Sequence, residues 1–162
     1  MPQENPQEVN RFEIIRLFAE AEEGTVLPLT VTGLSMTPFL LHKISVVYLK
    51  KERGYLPRKG DIVFFARQDL AVVLHRVVGI RKDGTLIIKG DAQRWREEIR
   101  PEQILAHVTR ICRSKKVFSA DHKGYRFLVA LWRPFRLLHP PMAYCLNFLS
   151  RIPYKLSKKP QK

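Results

Sequence analysis

The sequence predicts a mainly β fold, a twisted and partly open barrel, with a helix in front of it and a basic helical segment behind. Three observations predict it. Six short runs rich in β-branched and aromatic residues fall between residues 25 and 112. Gly, Pro and Asp-Gly punctuation separates them, and no helical periodicity intervenes. Strands that follow one another without helices pair with their neighbours and curl through their own twist.

Residues 1–8 are rich in Pro, Gln and Glu, the composition of a disordered lead. Asn10 and Glu13 have capping-box spacing, and Phe12, Ile15, Phe18 and Ala19 recur at helical intervals, so a helix is expected over about 9–22, stopped by Gly24. Strands are expected at 25–31, 45–50, 61–67, 71–80, 85–89 and 104–112. Lys82-Asp83-Gly84 between two of them is a hairpin signal. Residues 94–100, with Trp95, read as an exposed loop of mixed charge. From Ser119 the chain changes character: 125–132 and 142–152 are apolar and helical, flanked by Arg and Lys, and Pro134, Pro140, Pro141 and Pro153 break the segment. The expected division is a lead and helix at 1–24, a β domain at 25–118 and a basic amphipathic tail at 119–162.

Charge follows the same division. The chain of 162 residues carries a net +14, yet from Arg110 onward 13 basic residues face one acid, Asp121. Interleaved Arg, Trp, Phe and Leu suit an anionic membrane surface. The competing reading is a helical hairpin docked on the core, with its basic face merely solvated. Nucleic acid is not the expected partner, because the charges are mixed with large aliphatics and no recognition motif occurs. Cys112 and Cys145 lack metal or redox spacing, and His42, His107, His122 and His139 form no ligand pattern with them, so no disulfide, metal or cofactor is expected. Residues 1–8 lack the apolar core of a secretory signal. No run approaches the roughly 18 apolar residues of a spanning helix. The expected location is cytoplasmic, peripheral on the membrane.

Chemistry concentrates in three places. Thr32-Gly33-Leu34-Ser35-Met36-Thr37-Pro38 holds one serine between a glycine hinge and a Met-Thr-Pro clamp, just after an apolar run. His75 interrupts the apolar strand Leu74-His75-Arg76-Val77-Val78, and Asp91 ends Ile88-Lys89-Gly90-Asp91 at a corner. A serine activated by an imidazole that a carboxylate orients is a nucleophilic triad, recognised by geometry and not by chain order. The candidate roles are Ser35 as nucleophile, His75 as general base and then acid, and Asp91 as orienting carboxylate. Taken singly, each residue reads more simply as a turn serine, a satisfied strand histidine and a turn aspartate.

Together the segments Gly33-Leu34-Ser35-Met36-Thr37-Pro38, Lys59-Gly60-Asp61-Ile62-Val63, His75-Arg76-Val77 and Lys89-Gly90-Asp91 resemble, in order, the boxes of the signal peptidase I and LexA-like serine peptidase superfamily. The resemblance covers roughly residues 25–112. His75 stands where the Ser/Lys enzymes of that superfamily carry lysine, and neither Lys43 nor Lys89 occupies the matching place. The resemblance therefore implies the Ser/His/Asp branch, that of the archaeal and endoplasmic-reticulum signal peptidases. It implies a LexA/signal-peptidase-like fold and a serine endopeptidase that cleaves a peptide or precursor protein through an acyl-enzyme. Gly33 stands where bacterial signal peptidases often carry a serine, which leaves the Ser35 N–H, helped by Thr32, to bind the oxyanion. Leu34 and Met36 become candidate pocket walls, and an extended substrate adds to the strand leading into Gly33. Two alternatives remain: a catalytically weak or inactive peptide- or membrane-binding module, and a LexA-type self-cleaving regulator. Against the regulator, the 34 residues ahead of Ser35 are too few for a helix-turn-helix domain and contain no Ala-Gly bond.

Overall fold

Eight antiparallel strands form one unclosed sheet in the computed structural model, which describes residues 11–132. They are β1 (Val26–Thr30), β2 (Val46–Lys50), β3 (Ile62–Ala66), β4 (Val72–Ile80), β5 (Leu86–Lys89), β6 (Glu97–Ile99), β7 (Ile104–Arg113) and β8 (Lys116–Ser119). Helices α1 (Arg11–Glu20) and α2 (Lys123–Trp132) flank them. The order is β1-β2-β7-β3-β4-β5-β6, with β8 paired to β7. Each of the six expected runs forms a strand. β6 and β8 are additions: at three and four residues they are too short to show alternation in sequence.

Period-two alternation decides the two faces. On β3, Ile62 and Phe64 enter one core together with Phe18, Met36, Leu40, Val47, Leu49, Ile111, Tyr125 and Val129. Val63 and Phe65 enter a second core with Val77, Leu86, Ile88 and Ile99. The first core lies under α1, α2 and the Ser35 loop; the second lies between strands β3 to β6.

The expected separation of a tail at 119 differs from the packing. α2 buries Tyr125 and Val129 in the first core. Arg126 reaches Asp61, Asp121 and the Lys59 carbonyl, and Trp132 Nε1 donates to the Asp91 carbonyl at 3.1 Å. The stretch through Trp132 is thus built into the β domain, because its aromatic face completes a core that the strands leave open. The expectations for residues 1–8, the cap at Asn10, the second apolar helix at 142–152 and the tail beyond 132 lie outside the described residues. Among the described residues, no helix is long and apolar enough to cross a membrane, and no His, Cys, Asp or Glu group could hold a metal.

Candidate active site

The Ser35 loop is built from the end of β1. The Val31 N–H donates to the Ser45 carbonyl and the Lys43 N–H to the Val31 carbonyl, which closes the segment against the start of β2. Gly33 adopts φ +85°, a conformation that favours glycine. Its N–H donates to His42 Nδ1 at 2.9 Å, so it is committed and cannot serve an oxyanion. Thr32 is exposed and Leu34 half-buried. Met36 is 1% exposed and belongs to the first core. It anchors the loop and is no pocket wall, which corrects the role expected for it. The Ser35 N–H donates to no described residue.

His75 and Arg76 are adjacent on β4, so their side chains leave opposite faces of the sheet. His75 pairs with Val63 and its ring tilts against Phe65, on the second-core face. Arg76 pairs with Ile62 and faces the first core. There it donates to both Asp91 oxygens, at 2.9 and 2.7 Å, and to the Tyr125 hydroxyl and the Gly60 carbonyl. Asp91 is therefore claimed by Arg76, and the orienting role expected for it toward His75 is not what the geometry provides. The carboxylate facing His75 is Glu97 on β6: its Oε1 lies 3.3 Å from Nδ1, too poorly aligned for a hydrogen bond. Glu97 is held by Arg67 through two contacts of 2.6 Å. Sequence reasoning assigned Glu97 to an exposed loop. The one available signal was Ile99, an apolar residue two positions on and hence on the same strand face.

The Ser35 loop seats on Gly90, at the end of β5. The last pair between β4 and β5 is Arg76↔Lys89, so one step further sets Gly90 across from His75. Gly90 continues the alternation of Leu86 and Ile88 and turns its open face to the His75 side. A Cβ placed there would lie 2.7 Å from the Ser35 carbonyl and 2.7 Å from Gln93 Oε1. The Ala92 N–H also donates to the Ser35 carbonyl at 2.8 Å. The serine backbone thus rests on the corner that ends β5. Among the described residues, no hydrogen bond joins Ser35 Oγ to His75. Of the two lysines weighed above, Lys89 pairs with Arg76, which puts it on the first-core side, and Lys43 lies in the turn at φ +58°.

Gly90→Ala is expected to displace the Ser35 loop, because one of the atoms in the way is backbone and cannot rotate aside. A loss of about 1–3 kcal/mol should appear in thermal melts. A variant as stable as wild type would show that the corner is slack.

Burial lowers the pKa of His75 to about 4, against the opposing pull of Glu97. The imidazole is neutral at neutral pH, the state a general base needs, but a weak one. Aligning Nδ1–H on Glu97 is the movement that would raise its basicity. The same shift makes stability depend on pH. Between about pH 6.5 and 4 the unfolded chain binds a proton at residue 75 that the folded chain does not. The contribution is therefore whole above 6.5 and lost as pH falls toward 4, by up to about 3 kcal/mol. His107, also lowered by burial, acts in the same direction. Denaturation midpoints should fall across this window and fall less in His75→Gln; an unchanged slope would contradict the assignment.

Compared with known proteins, the chain matches no family model, no curated protein and no solved structure at a significant level.

Proposed function

We propose that the chain is a serine endopeptidase of the signal peptidase type. The observation that carries this reading is the seating of the Ser35 carbonyl on the Gly90–Ala92 corner at the end of β5, the neighbour of the strand that holds His75, with a Ser35 N–H that has no partner among the described residues. Ser35 Oγ attacks the scissile carbonyl while His75 accepts its proton. The Ser35 N–H stabilises the oxyanion. The proton then passes from His75 to the departing amine, and water drawn through His75 hydrolyses the acyl ester. Glu97 is the positioning residue for His75, and Arg67 holds Glu97. Asp91 supports the site from the other face of the sheet. An extended peptide can add to the outer edge of β1, which among the described residues pairs with β2 alone and tolerates Pro28 for that reason.

The test is labelling by a serine-directed acylating probe in wild type, Ser35→Ala and His75→Ala. Labelling should vanish in the first and fall by about three orders of magnitude or more in the second. Labelling that survives Ser35→Ala refutes the nucleophile. The second reading, a peptide-binding module without turnover, is favoured by one observation: His75 Nδ1 is buried with no hydrogen bond. Peptide binding by a wild-type protein that never labels would establish it.

A further inference from the structure

We propose that the outer face of α2, together with the basic β7–β8 turn, docks on an anionic lipid surface. While Tyr125 and Val129 fill the core, Phe127, Leu128 and Leu131 on the same helix are 67%, 56% and 55% exposed. Ala130 between them is also exposed. Exposed cations accompany this apolar face in the same stretch of chain: Arg113, Lys115 and Lys116 at the β7–β8 turn and Lys123 at the start of the helix. The one acid of the region, Asp121, is taken by Arg126 and Arg58. A crevice of about 210 Å³ runs along Val129 and Ala130 and is lined by Lys59, Arg76 and Arg126. Arg76 and Arg126 have acidic partners there, and Lys59 has none among the described residues.

An apolar helix face accompanied by cations is the chemistry of the interface between lipid headgroups and acyl chains. A second copy is the wrong occupant, since both would carry +14 and repel. Nucleic acid leaves the three large apolar side chains without a use. The opposite, inward side of α2 and the β7–β8 hairpin contact the segment that follows Ser35. Arg113 Nη1 donates to the Pro38 carbonyl at 3.4 Å, Trp132 reaches the Asp91 carbonyl, and Phe39 meets Tyr125 and Trp132 edge-on. The inference uses no chemistry of Ser35 and does not depend on the peptidase reading.

The experiment is co-sedimentation of the full chain with vesicles of phosphatidylcholine alone and with vesicles containing about one third phosphatidylglycerol. Binding is expected to the second only, and to weaken as salt rises. The variant Phe127→Ser/Leu128→Ser/Leu131→Ser should bind at least about tenfold more weakly with an unchanged melting temperature. The variant Lys115→Glu/Lys116→Glu/Lys123→Glu should also lose binding, and Ser35→Ala should bind like wild type. Absence of binding to anionic vesicles overturns the proposal. So does undiminished binding by the triple serine variant, which would assign the contact to residues 133–162. A clear fall in that variant's melting temperature overturns it as well, because the face would then be covered within the chain.

Discussion

Arg76→Met is expected to lower stability by about 3–5 kcal/mol, the typical result of removing one partner of a buried ion pair. Arg76 and Asp91 are both buried and joined by two hydrogen bonds. Without the guanidinium, the Asp91 carboxylate stays in the interior without its countercharge. The same guanidinium holds the Tyr125 hydroxyl at 2.9 Å and the Gly60 carbonyl at 2.8 Å. The substitution therefore also loosens α2 and the turn before β3. A fall in melting temperature on the order of 10 °C is the expected reading. Arg76→Met combined with Asp91→Leu should recover much of the loss, because an apolar pair leaves no buried charge. A single variant that melts like wild type would mean the pair is not a structural pillar.

Glu97→Gln and Asp91→Asn are expected to fail in different ways. Glu97→Gln keeps the shape of the side chain but removes the charge that raises the basicity of His75. Acylation by a serine-directed probe should slow by about 10²–10⁴, the scale of a lost orienting carboxylate in serine hydrolases. The acid limb of its pH–rate profile should move to lower pH, which a purely structural role would not produce. Its stability should change little, since Arg67, the partner of Glu97, is itself partly exposed. Asp91→Asn should lose stability through Arg76 and, below its melting transition, keep most of its acylation rate. If a folded Asp91→Asn protein stops reacting and Glu97→Gln does not, the roles given to the two carboxylates are reversed.

The two carboxylates also show where sequence reasoning reaches its limit. Asp91 stood out because Lys89-Gly90-Asp91 is a compact motif at a strand end. Glu97 did not, because a three-residue strand has no measurable period and its neighbours Arg94, Arg96 and Glu98 read as solvated charge. Met36 drew attention as a neighbour of the serine, yet whether a loop methionine lines a pocket or plugs a core depends on what lies beneath it. Here that is the first core, assembled from residues as distant in sequence as Phe18 and Val129. α2 read equally well as a surface helix or a docked one, and the contacts of Tyr125 and Trp132 decide for docking at this end.

By itself the sequence determined what local rules control: a mainly β chain, the six longer strands, the glycine-hinged serine loop and a histidine placed inside a strand. These depend on period, turn chemistry and φ preference within a few residues. Only the tertiary structure decided which carboxylate meets which cation. That choice turns on strand alternation, which sends neighbours His75 and Arg76 to opposite faces, and on long-range pairing, which brings Glu97 to one face and Asp91 with Tyr125 to the other.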